Sequence, residues 1–362
     1  MKGILRSVSR FMAVVITAGT VFNAVPELQV HAESKMMKQY GYDYAQYMDV
    51  FDPDYYAALY PDLAQIIGYD EDKLLEHFVL IGMKEGRRGC LEFDPVWYSN
   101  AYPYLKNMYG NDWTSYYMDF ITSGARAERD GSYEYRMARL EAEAEPAKIN
   151  AGHFMNGEDG LVYFYRSDGV TAKGWIRYGN DYYYLDRITG VLHFNETVNG
   201  VQLGEDGKAV LTQYALEKIP CMIKGRQIAE IITEPADTVN TKIRRAMAYS
   251  THSQYIMKDA YIGTHRKVSA CVPAHYANNI WNLDGTETVI GGECYAWSSV
   301  CAFIVNEMCL GDVYLEDDTK HGWLEVNGLF YDLSLTRANT DYKSYFAIKR
   351  NRQYRRVNAE KI

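Results

Sequence analysis

The sequence predicts a multidomain α+β protein built from helical 42-residue repeats, a β-hairpin solenoid and a C-terminal domain mixing helices with a hairpin. Three observations carry this. Phe51-Asp52-Pro53 recurs as Phe93-Asp94-Pro95, a shift of 42. Over 152–211, strand and turn signals alternate at about 20-residue spacing. After Gly291-Gly292-Glu293, an apolar run of helical period begins at Cys294 and is followed by an Asn-Gly hairpin signal.

Residues 1–32 read as a secretory signal. Lys2, Arg6 and Arg10 precede an uncharged apolar run from Phe11 to Ala24, and Val30-His31-Ala32 offers small residues at the cleavage positions. No other stretch approaches the ~18 apolar residues of a membrane helix, so a secreted protein without a transmembrane segment is expected. Losing Lys2, Arg6, Arg10 and Glu27 takes the net charge from −9 to −11, which argues against nucleic acid as a partner.

Within 51–131 the 42-residue shift also maps Tyr60-Pro61 onto Tyr102-Pro103, Gly68 onto Gly110, Phe78 onto Phe120 and Gly82 onto Gly124. Asp52 and Asp94 are natural N-caps with proline at the first helical position, and each repeat reads as two short helices about a glycine turn. An Ala/Glu/Arg-rich stretch in 132–150 follows, a charged helical linker ending at Pro146. The array of 152–211 carries Gly174-Trp175 and Asp181-Tyr182-Tyr183-Tyr184, strands and turns of successive hairpins. At the other end, 346–362 reads as a basic, solvated tail.

Six cysteines over so long a chain are too sparse for a disulfide scaffold. Cys294 and Cys301 stand about 10 Å apart on one helix, too far to bridge. No Cys/His cluster suggests zinc and no Asp-rich loop suggests calcium, so neither metal nor cofactor is expected.

Cys294 opens Cys-Tyr-Ala-Trp-Ser-Ser-Val-Cys, with Trp297, Val300, Cys301, Ile304 and Met308 at helical spacing. Unpaired N–H groups and the positive dipole end at a helix start favour a sulfur anion. Downstream, Asn327-Gly328 between apolar runs is a type I′ turn signal. That turn sets Val326 opposite Leu329, Trp323 opposite Asp332 and His321 opposite Ser334. His321 and Asp332 then share a face as diagonal neighbours about 7 Å apart. A carboxylate there would fix the imidazole in one tautomer, leaving its other nitrogen for the thiol.

Gly-x-Cys-Tyr-Ala-Trp followed by His-Gly-Trp-Leu-Glu-Val-Asn-Gly-Leu-Phe-Tyr-Asp resembles the transglutaminase-like superfamily, over about 230–345. The resemblance implies a papain-like core, with Cys294 as nucleophile, His321 as base and then acid, and Asp332 as the orienting group. It also implies acyl transfer through a thioester on a protein or peptide substrate, either peptide or amide hydrolysis or protein crosslinking. The residue completing the oxyanion hole is not identified by the pattern; Asn279 and Trp281 stand as guesses. The hairpins of 152–211 resemble choline-binding-type cell-wall repeats, implying an aromatic cage of Trp175, Tyr182 and Tyr184 for a choline, teichoic-acid or glycan wall polymer. The alternative is a non-catalytic surface adhesin, with the C-terminal domain as scaffold.

Overall fold

Helix starts, turns and glycine contacts repeat through the first half of the computed structural model, which describes residues 44–124, 129–252, 254–255, 269–283, 291–292, 294–338, 345–349 and 356–362. The expected signal at 1–32 lies outside them. Each repeat opens with three short helices, not two in all: Pro53–Leu59, Pro61–Ile67 and Glu71–His77 in the first, Pro95–Ala101, Pro103–Tyr109 and Trp113–Asp119 in the second. A five-residue π segment follows each, Phe78–Gly82 and Phe120–Gly124. Asp52 caps its helix by accepting from the Tyr55 N–H, and Asp94 by accepting from those of Val96 and Trp97. The repeat glycines are steric requirements. A Cβ on Gly82 would lie 2.6 Å from the Tyr56 hydroxyl, and one on Gly124 2.6 Å from that of Tyr98. Four of the chain's 33 tyrosines, Tyr56, Tyr98, Tyr116 and Tyr117, are fully buried in the repeat cores.

Helix α1, Tyr133–Asn150, runs on through Pro146 instead of ending there, and it is a packed element rather than a linker. Its buried Glu145 accepts from Arg226 Nη2 at 2.7 Å and from Gln227 Nε2 at 3.0 Å, both on helix α2, Gln213–Ile232. Between them lie three antiparallel hairpins: β1 His153–Asn156 with β2 Val162–Tyr165, β3 Gly174–Tyr178 with β4 Asp181–Leu185, and β5 Thr197–Val198 with β6 Val201–Gln202. Single bridges link neighbouring stretches, Tyr163 to Val191, Leu185 to Leu192 and Tyr183 to Lys208.

The C-terminal half is arranged around helix α5, Cys294–Glu307, all of whose residues are buried. Helices α2, α3 (Val239–Ser250) and α4 (Val272–Trp281) pack against it, and so does an antiparallel five-stranded sheet. The sheet holds β9 Val313–Asp317, β10 Gly322–Val326, β11 Leu329–Tyr331, β12 Ile348–Lys349 and β13 Asn358–Lys361, in the order β12-β11-β10-β9-β13. Both edges come from the stretch expected to be a solvated tail. Their backbone bonds, together with burial of the Ile362 side chain, outweigh the local charge of that segment. A short parallel pair, β7 Gln254–Tyr255 with β8 Gly291–Gly292, anchors the chain just before Cys294.

Helix crossing at α2 and α5 depends on Gly225, where a Cβ would lie 2.7 Å from the Phe303 carbonyl oxygen and 3.2 Å from the Ile304 nitrogen. Alanine is the better helix former by about 1 kcal/mol, but backbone at that distance must move, which costs about 1–3 kcal/mol in a packed core. Gly225→Ala is therefore expected to lower the urea midpoint; a rise would show that the two helices separate freely.

Candidate active site

Cys294 is the first residue of α5 and is almost wholly buried, at 7% exposure. Its helix is buried on every side, and the thiol stands at its N-terminal end. His321 stands just ahead of β10. A turn holds it there, with the His321 N–H donating to Asp318 Oδ1 at 2.8 Å and the Asp318 N–H donating to the His321 carbonyl at 3.1 Å.

Across the hairpin the observed register pairs Leu324 with Tyr331, Glu325 with Phe330 and Val326 with Leu329. Asn327 and Gly328 have φ of 50° and 80°, as a type I′ turn requires. The expected pairing stops one step early. Asp332 is not opposite Trp323 within the sheet, and Ser334 is not opposite His321, because the chain leaves β11 at Tyr331 and turns into helix α6, Leu333–Ala338. Asp332 makes that turn by capping the helix: Oδ1 accepts from the Leu335 N–H at 3.0 Å and the Ser334 hydroxyl at 3.1 Å. Its own N–H donates to the Tyr345 carbonyl at 2.9 Å.

The second carboxylate oxygen is thereby aimed at the imidazole, and His321 Nε2 meets Asp332 Oδ2 at 2.6 Å. Asp332 is fully buried, whereas the His321 side chain is about a quarter exposed. Burial works against a charge on the His321 ring, but hydrogen bonds to Asp332 and Cys294, with the charges of both, outweigh it and push its pKa up to about 10. With Nε2 committed to Asp332, Nδ1 is the nitrogen left for the sulfur. The structure brings the three sequence-derived residues together as an ordered set.

Two supporting residues escaped the sequence reading. A Cβ on Gly322 would lie 3.0 Å from Tyr295 Cα and 2.7 Å from its Cδ2, so the helix start can approach the strand start only because residue 322 lacks a side chain. Ser298, one turn into α5, donates its hydroxyl to the Gly322 carbonyl at 3.3 Å. The only sequence signal was the glycine beside His321. Trp323 forms a wall, its ring 6.0 Å from that of His321 and its indole N–H donating to buried Glu316 at 3.2 Å.

Asn279 and Trp281 do not serve the thiol. Helix α4 runs alongside α5 in the same direction, Tyr276 packing on Tyr295 at 4.8 Å and Trp281 on Phe303 at 6.3 Å. Phe303 is nine residues, about 13 Å, beyond Cys294, and Asn279 falls between those two contacts. Nor do Trp175, Tyr182 and Tyr184 make an open cage. Trp175 is 1% exposed, donates its indole N–H to Asn199 Oδ1 at 3.1 Å and faces the core with β3 against α1 and α2. Tyr184 is buried opposite it, with ring centroids 5.3 Å apart, and Tyr182 lies beneath the Arg177 guanidinium at 6.0 Å. The aromatic faces are taken up by packing. Among the described residues no cluster of three or more His, Cys, Asp or Glu side chains gathers as a metal site.

No family model, curated protein or solved structure matches the chain. The site's own geometry supports two expectations. Gly322→Ala should slow alkylation of Cys294 by at least about tenfold, since small displacements at a reacting pair cost up to about a hundredfold; an unchanged rate would show that the contact with Tyr295 is not limiting. Because the His321 pKa is raised from 6.5 to about 10, the stability it contributes is fully present below pH 6.5 and lost as pH rises through about 10. Urea unfolding of the wild type should weaken across that window, and Asp332→Asn should show a flatter dependence.

Proposed function

We propose that the protein is an exported, wall-associated thiol enzyme of transglutaminase-like kind, acting by acyl transfer through a thioester and hydrolysing peptide or amide bonds. The observation that carries this reading is the His321–Asp332 bond at 2.6 Å beside the start of α5, where Cys294 stands and where Ser298 ties the helix to Gly322, the residue next to His321. In the first step Nδ1 of the His321 ring takes the Cys294 thiol proton and the sulfur attacks the substrate carbonyl carbon. The C–N bond breaks, the imidazolium gives its Nδ1 proton to the departing amine, and a thioester remains. Water then attacks the thioester while the ring takes its proton, releasing the acid and restoring the thiol–imidazole pair. An amine in place of water would give a crosslink; hydrolysis is preferred because water needs no second binding site. Backbone N–H groups at the start of α5, unpaired within the helix, would serve as the oxyanion's donors.

The adhesin alternative draws no support from the hairpins, since Trp175 and Tyr184 are buried. Contact with a wall polymer would have to use other surfaces.

An electrophilic thiol probe followed by peptide mapping tests the reading. Burial pushes the thiols of Cys271 and Cys301 up to about 11 and about 12, and raises that of Cys90 well above the ordinary value. Cys309 is the exposed rival. Near neutral pH, Cys294 should label faster than all the others. His321→Ala should remove that advantage, and Asp332→Asn should reduce it less. Labelling of Cys309 alone, with Cys294 inert, would sink the proposal.

A further inference from the structure

Helix α3 carries two adjacent buried arginines, and the ion-pair partners of the first, Arg244, lie in the N-terminal repeats. Arg244, 3% exposed, directs Nη1 to Asp52 Oδ2 at 3.5 Å and Asp54 Oδ2 at 3.4 Å, and Nη2 to Glu71 Oε1 at 2.5 Å. Asp52 is the N-cap of the first helix of that repeat, Asp54 lies in its first turn, and Glu71 opens the third helix. The acids therefore sit where helix dipoles already favour them. The hydroxyl of Thr241, one turn earlier on α3, lies 2.9 Å from Asp54 Oδ2 and 3.1 Å from Asp52 Oδ1, within reach to donate to either.

The other face of the same guanidinium leads to the thiol site. Arg244 lies 5.4 Å from the ring centroid of Phe346. Phe346 packs edge-on against Tyr331 at 5.0 Å. Tyr331 immediately precedes Asp332, and Tyr345, immediately before Phe346, accepts the Asp332 N–H at 2.9 Å and the Thr336 hydroxyl at 3.4 Å. Helix α6, which Asp332 caps, also touches the helix Tyr44–Tyr47 that leads into the repeats. The residue that orients His321 is thus tied by one set of contacts to the first repeat and by another to the helix just before it.

We propose that Arg244 is a positioning residue of the thiol site, setting Asp332 for His321 by clamping the Tyr345–Phe346 strap between Tyr331 and the acidic helix starts of the first repeat. The repeat module is then a working part of the site. A lysine at 244 would keep the charge towards the three acids but lose the flat face over Phe346 and the forked donors. The enzymatic consequence rests on the reading under Proposed function, but the effect on His321 does not.

The test uses the full chain and follows the His321 titration by NMR with labelled histidine, beside the rate of Cys294 alkylation against pH. Arg244→Met should lower the His321 midpoint by about one unit or more, a tenfold change in proton affinity, while the protein still melts in one transition. Arg244→Lys should fall between. In an Asp332→Asn background Arg244→Met should shift the midpoint no further, since the arginine acts through that carboxylate; a merely structural role predicts a further shift. If Arg244→Met fails to fold, Glu71→Gln, whose side chain is about a quarter exposed, should lower the midpoint in the same direction by less. A folded variant at 244, or Glu71→Gln, with the wild-type midpoint would overturn the proposal. A midpoint that moves as stated while wild-type Cys294 shows no enhanced labelling would uphold the positioning role and sink the enzyme reading instead.

Discussion

Burial of a helix on all its sides is a demanding constraint, and in this chain the helix from Cys294 to Glu307 imposes it on everything around it. Fully burying each large apolar side chain, as with Tyr295, Phe303 and Ile304, stabilises the fold by about 1.5–3 kcal/mol. That gain requires three helices and a sheet to be in place at once. The close approach they need explains Gly225 against the Phe303 backbone and Gly322 against Tyr295. It also leaves the far end of the helix with a buried carboxyl. Burial raises the pKa of Glu307 to about 7, against the pull of Arg187 and Arg226. Arg187 follows the second hairpin and donates to Glu307 Oε1 at 2.9 Å and to the Asn306 carbonyl. The hairpins and the thiol helix are thereby fastened to one another through charge.

Reuse of helix starts is the second theme. Asp52, Asp54 and Glu71 each serve a local helix and also meet Arg244, and Arg245 reaches Glu92 at 3.4 Å and Asp237 at 2.8 Å. Asp332 does the same at the site, one oxygen capping α6 and the other holding His321. A carboxylate fixed by its capping bonds has little freedom left. Its second oxygen is then oriented without further side-chain entropy to lose.

How far the site was legible depends on the range of the interactions involved. Asn327-Gly328 determines its own turn through the positive φ of both residues, and that turn determines the register of Leu324–Val326 against Leu329–Tyr331. What the pairing rule missed was the end of the strand, because Asp332 exchanges a ladder partner for a cap and a bond to Tyr345, thirteen positions on. Trp175 shows the opposite failure. A Gly-Trp strand facing a Tyr-Tyr strand looks the same whether its aromatic face lines a cage or a core, and only the packing of helices α1 and α2 decided for the core. The segment read as a basic tail became two edge strands for the same reason, since the free edges of β9 and β11 lie in other parts of the chain.

By itself the sequence determined the 42-residue repeat, the caps at Asp52 and Asp94, the helix beginning at Cys294 and the hairpin at Asn327-Gly328. Each depends on dihedral preferences and hydrogen bonds within a few residues. Only the tertiary structure decided which aromatic faces are covered, that Gly322 permits the thiol helix to meet His321, and that the first repeat lies behind Asp332. Those outcomes require surfaces tens to hundreds of residues apart to exclude the same water, and no local pattern records which surfaces will meet.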